Sequence, residues 1–191
     1  MPRSRTAAAV VLLTLAATAA GQETVENPEF AAWNKFKPGT SLTVKVTTTA
    51  GGINTEVLMT NTLVQTGADK LVLETSATTK AGGNEFKQPA MKRDVPKTVT
   101  IPAGVKKEDL PAPGKKPPGT VEEGTETLKV AGAEYKTKWY RVKHSANGTE
   151  IEGKTWMSDD LPGMVAKSET TVKGPVSATT KMEVVDVKKG K

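Results

Sequence analysis

The sequence predicts a mainly β protein: a single curved antiparallel sheet or half-barrel of about eight or nine strands, with one short N-terminal helix. Three observations lead there. Segment after segment alternates branched aliphatic residues with threonine or lysine, the period of two of a half-buried strand. Turn signals rich in glycine separate those segments at short intervals. No stretch alternates strand with helix in the manner of a parallel α/β sheet.

The chain opens with MPRSRTAAAVVLLTLAATAA. Arg3 and Arg5 give a basic start, an Ala/Val/Leu run follows, and small residues such as Ala17 and Ala19, or Thr18 and Ala20, suit a cleavage site. This is the layout of a secretory signal peptide over 1–20. The apolar run falls short of the roughly 20 residues that span a bilayer. The expectation is export to the periplasm or the medium, with no transmembrane segment in the mature chain and one antiparallel β domain over 21–191.

Residues 24–37, TVENPEFAAWNKFK, carry the one helical signal. Asn27 suits a cap, Pro28 the first helical position, and Phe30, Trp33 and Phe36 recur every three residues along one face. Strand signals follow. Leu42, Val44, Val46 and Thr48 alternate with polar partners in 41–49, and Ala50-Gly51-Gly52 turns into the long Thr-rich segment 53–66. Gly67-Ala68-Asp69 leads into 70–80, and Gly82-Gly83-Asn84 turns again. Residues 85–102 read as a strand that Pro89 and Pro96 confine to a sheet edge or interrupt. Residues 102–119, with five prolines, three glycines and four lysines, form a Pro-rich loop. Strands resume at 125–132, 134–145, 149–158, 164–173 and 176–189, with Asn147-Gly148 a hairpin turn and Asp159 to Gly163 a loop.

Composition excludes several chemistries. Without cysteine there are no disulfides, thiolate nucleophiles or Cys-based zinc sites. A single histidine, His144, rules out two-histidine metal motifs, and at a strand end it reads as solvent-facing. Losing Arg3 and Arg5 with residues 1–20 lowers the formal net charge from +6 to +4. Only Arg93 and Arg141 then remain for bidentate phosphate or guanine contacts, so nucleic acid is not an expected partner. Ser145 and Ser158 lack a nucleophile-elbow context. Asp159 and Asp160 are adjacent, without the opposed carboxylate that glycoside hydrolysis needs, and read as opening a turn closed by Pro162-Gly163. No catalytic residue, metal ligand or cofactor is assigned. Val and Thr dominate the apolar and semi-polar content, which fits one large sheet with a single buried face.

Two motif groups carry a resemblance. Trp33-Asn34-Lys35-Phe36-Lys37-Pro38-Gly39-Thr40 precedes the first long strand, and Trp156-Met157-Ser158, Pro162-Gly163 and Met164-Val165-Ala166-Lys167 follow one another later. In these the chain resembles uncharacterised secreted bacterial proteins of planctomycete type, and more distantly the LolA/LppX/RseB-like curved-sheet envelope proteins. That resemblance implies a half-barrel wrapping helical structure and able to accept lipid. It departs in having Tyr135 or Thr137 where relatives often carry cysteine, and in having one helical segment where the lipid carriers insert several.

The functional expectation is an exported, non-enzymatic β domain that binds an apolar or envelope ligand, lipid or protein, on its concave face. Trp33, Phe36, Trp139, Tyr140 and Trp156 are the candidate lining residues. The alternatives are a structural or interaction module of the cell envelope and, more remotely, a hydrolase using Asp159 or Asp160.

Overall fold

The computed structural model describes residues 23–101, 116–146, 148–175 and 177–191. The expected leader 1–20 and most of the Pro-rich stretch 102–119 lie outside the described residues, as does Asn147.

Eleven strands and one helix follow in chain order: β1 (Thr24–Glu26), α1 (Pro28–Trp33), β2 (Ser41–Ala50), β3 (Ile53–Thr66), β4 (Lys70–Ala81), β5 (Asn84–Pro96), β6 (Thr98–Thr100), β7 (Thr120–Val130), β8 (Ala133–Ala146), β9 (Thr149–Met157), β10 (Val165–Lys173) and β11 (Ala178–Lys188). Nine of them form one antiparallel sheet in the order β5-β4-β3-β2-β11-β10-β9-β8-β7, and β1 pairs with β6 in a small second sheet. The large sheet is two meanders, β2 to β5 and β7 to β11, joined by β2 on β11 from Ser41↔Lys188 to Ala50↔Ala178. It is curled enough to bring β7 within 8 Å of β11, four places away, yet it does not close into a barrel. β5 and β7 are its two free edges. Pro89 and Pro96 both sit on β5, and the residues around Pro89 form a bulge opposite Ser76. A proline lacks the N–H that a further ladder would need.

The helix is shorter than its aromatic spacing predicts. Residues 24–26 are extended and pair with β6, and α1 stops at Trp33. Asn27 caps it, its side chain accepting from the Glu29 N–H at 3.0 Å, with Pro28 in the first turn. Pro38 and Gly39, at φ 86°, turn the chain into β2 before another helical turn can form. Six residues do not make a stable helix in water, so packing holds α1 in place. Phe30, Ala32 and Trp33 are buried on the sheet, and each aromatic contributes roughly 1.5–3 kcal/mol by burial. Asn27 also donates to the Pro96 carbonyl at 2.9 Å. Arg93 forks onto Glu29 with one bond at 2.8 Å, mooring α1 to β5. That hydrogen bond raises the Arg93 guanidinium above its ordinary range, against some desolvation.

Alternation then sorts the sheet into two faces. Leu42, Val44, Val46 and Thr48 lie in register with Asn61, Met59, Val57 and Thr55 on one side and with Val187, Val184, Met182 and Thr180 on the other. This inner face carries α1 and most of the core. Its far end is a rung of hydroxyls, Thr55, Thr48, Thr180 and Thr170, with Thr48 and Thr180 sharing a 3.2 Å hydrogen bond.

The outer face is an array of charges. Lys45 and Glu183 meet across the β2–β11 junction at 2.6 Å, and this hydrogen-bonded carboxylate raises the Lys45 ammonium above its usual range. A raised lysine supports the fold below its ordinary titration range and loses that support as the pH climbs through the raised value. Further along, Lys154 Nζ lies 4.0 Å from the Trp139 ring and 4.4 Å from the Trp156 ring, and Lys167 covers Trp156 at 4.8 Å. Gly124 leaves room for the Trp139 indole: a Cβ there would lie 2.7 Å from the ring.

Two outcomes are expected. Gly124→Ala displaces the Trp139 ring and costs about 1–3 kcal/mol, read as a lower urea midpoint. Glu183→Gln returns the Lys45 side chain toward its ordinary titration range, followed by NMR of its Cε; an unmoved titration would break the assignment of Glu183 as the cause.

Candidate functional site

The inner face is only partly filled. Where β9 ends, residues 158–164 return to β10 as a largely buried loop: Leu161 is 0% exposed, Ser158 and Met164 are buried beside it, and Asp159 and Asp160 are exposed. Backbone bonds tighten it, with Ser158 N–H donating to the Met164 carbonyl at 2.7 Å and Met164 N–H to the Leu161 carbonyl at 3.0 Å. Gly163 and Met164 both adopt left-handed backbone, at φ 72° and 64°. Glycine does so freely; a methionine does so at a cost of about 1–2 kcal/mol. Gly163 suits this place because of its left-handed backbone; a Cβ there would meet Trp33 and Leu42 only at the ordinary contact distances of 3.6 Å and 3.7 Å.

Two compartments flank this loop. One, about 360 Å³, lies between α1 and the floor of the sheet, lined by Trp33, Leu42, Val44, Met59, Met182 and their neighbours. The other, about 640 Å³, lies between the loop and the β7–β8 hairpin, lined by Thr125, Thr127, Lys136, Lys138, Tyr140, Asp159 and Asp160 among others. Met157 and Met164 line both, so the two compartments adjoin along a shared wall; together they make a trough with an apolar end and a polar end. Four of the six methionines face the apolar compartment. Methionine is unbranched and polarisable, and such a wall repacks around occupants of different shape.

The polar end contains groups that the fold does not use. Tyr140 is only 6% exposed, and its hydroxyl makes no hydrogen bond among the described residues. No buried side-chain polar atom there is left unpartnered, so the Tyr140 oxygen keeps its access through the cavity it lines. Lys136, Lys138, Asp159 and Asp160 form no ion pair among the described residues. Glu126, at the same wall, is engaged: it accepts from the Trp156 indole N–H and lies 3.7 Å from Lys154. Among the described residues no group of three or more His, Asp or Glu side chains is placed to hold a metal.

The structure divides the five aromatic candidates. Trp33 lines the apolar compartment and Tyr140 the polar one. Phe36 packs against the core below α1 and lines neither. Trp139 and Trp156 are directly paired neighbours on the outer face, because residues 139 and 140 of one strand must point to opposite sides. Their rings hold lysines, and Trp156 is buried without facing the trough. The four methionines and the Lys136/Lys138 pair lacked a distinguishing sequence signal. Lys136, Lys138 and Tyr140 do share a period of two. His144 is exposed at the far end of β8.

No helix among the described residues is long and apolar enough to cross a membrane. Leu161→Ala is expected to cost about 2–5 kcal/mol in urea unfolding and to enlarge the trough, since the loop is held by this fully buried side chain.

Among known proteins, no family model and no curated sequence matches the chain. A solved N-terminal dehydratase from a difficidin assembly line aligns over 89% of this chain and 87% of its own, at 9% identity and a TM-score of 0.16. At that level the likeness carries no argument about fold or activity.

Proposed function

We propose that this is an exported, non-enzymatic β domain that takes an apolar ligand of the cell envelope, such as a lipid chain, into the trough on its inner face. The observation that carries the reading is the compartment of about 360 Å³ between α1 and the sheet, walled by Trp33, Leu42, Val44, Met59, Met157, Met164 and Met182. Apolar walls with a few polar groups at one end are the usual construction of a small-molecule site. A left-handed Met164 at the junction of the two compartments supports it, since backbone strain of this kind gathers at ligand sites. The non-catalytic part of the reading is supported by the carboxylates: Asp159 and Asp160 are sequence neighbours, and Glu126 is committed to Trp156 and Lys154.

The second reading, an interaction module of the envelope, draws on β5. Its edge is free, and it exposes Phe86 at 60% and Met91 at 71%.

The experiment is a titration with an apolar fluorescent probe, 1-N-phenylnaphthylamine. Binding with a blue shift is expected, and Met182→Trp, which fills the compartment, weakens it by about tenfold or more. Met91→Trp, on the exposed edge, leaves it unchanged. No binding, or equal effects of the two substitutions, would remove the trough as the site.

A further inference from the structure

We propose that the chamber between the β7–β8 hairpin and residues 158–164 receives the head of a zwitterionic amphiphile, a phosphate and an ammonium joined by a short linker, whose tail lies under α1. The inference rests on the trough being a binding site, and adds what kind of ligand it selects.

The argument starts from what is left over. On the outer face the lysines and carboxylates are largely consumed by one another: Lys45 with Glu183, Arg141 with Glu122, Lys154 with Glu126, Lys167 with Glu169. In the chamber the opposite holds. Lys136 and Lys138 project from β8 and Asp159 and Asp160 from the loop; all four are solvent-exposed, line one cavity and form no ion pair among the described residues. Tyr140 adds a hydroxyl with no partner among the described residues, on a side chain more than nine-tenths buried. The Tyr140 ring is buried while its oxygen stays open to the cavity, so a phosphate seated there takes the place of solvent as its partner.

Charge complementarity then fixes the class. Two ammonium groups and a phenol suit a phosphate. Two carboxylates in the same chamber repel a ligand that is only anionic and attract one that also carries a cation. A purely cationic head meets the reverse problem at the lysines. Met157 and Met164 wall both compartments, and a shift of these two flexible side chains joins them, so head and tail are held at once.

The test uses short-chain lipids held below their micellar concentrations: dihexanoyl phosphatidylethanolamine, which is zwitterionic, and dihexanoyl phosphatidylglycerol, which is anionic. By calorimetry on the purified protein, the ethanolamine lipid is expected to bind about tenfold more tightly. Lys136→Gln with Lys138→Gln weakens it by about tenfold. Asp159→Asn with Asp160→Asn erases the preference by strengthening the glycerol lipid. Tyr140→Phe weakens both lipids by about fivefold. Equal affinities in the unsubstituted protein, or a preference that survives the Asp substitutions, would overturn the proposal. If the probe binds and the lipids show no preference, the headgroup assignment alone falls. If neither probe nor lipid binds, the trough itself is not a site and this inference falls with it.

Discussion

The pairing of β2 with β11 is the constraint on which the rest of the structure depends. It joins strands more than a hundred residues apart and turns two separate meanders into one sheet. Both faces are engaged at the junction. On the inner side Val44 meets Val184 and Thr48 meets Thr180, and on the outer side Lys45 meets Glu183. The floor of the apolar compartment draws on both strands, through Leu42 and Val44 from one and Met182 from the other. Without this seam there is a left half and a right half and no trough between them.

The trough owes its openness to what happens at the margins of the sheet. The nine strands do not close into a barrel, and closure would require β5 to pair with β7. Prolines on β5 oppose that ladder. The space a closed barrel would fill with its own side chains is instead occupied by α1 and by residues 158–164, neither of which reaches everywhere. Buried apolar surface holds both inserts, while the strained Gly163-Met164 pair sets a flexible side chain at the point where the two chambers meet.

Much of this was legible from local signals. Gly51-Gly52 and Gly67 bound β3 at the expected residues, and the two prolines put 85–102 on an edge, where β5 lies, although 98–100 leave it as β6 to pair with β1. The expected helix over 24–37 was too long because Phe36 continues the spacing of Phe30 and Trp33 after the backbone has already turned toward Pro38. The start of β7 was missed because Val121-Glu122-Glu123-Gly124 shows no alternation; the strand forms there through pairing with β8, across a bulge. Which strand neighbours which is a matter of long-range pairing, and no local pattern encodes β2 on β11. The site suffered from the same gap. Trp139 and Tyr140 are both plausible lining residues in isolation, and only the sense of curvature decides that the smaller aromatic looks inward. Methionines scattered at 59, 157, 164 and 182 gather around one space only once the sheet is folded.

The first long strand and the last lie side by side at the centre of the sheet, and Gly190 is tied back to Thr40 by a 3.0 Å hydrogen bond. Most sheets can lose a terminal strand from an outer margin and keep the remainder. Here the tail is a keystone: shortening it by a dozen residues would split the arch at its crown. Until β11 docks against β2 the two meanders are half-shells with no vault between them, so the finished architecture arrives all at once, when that seam closes.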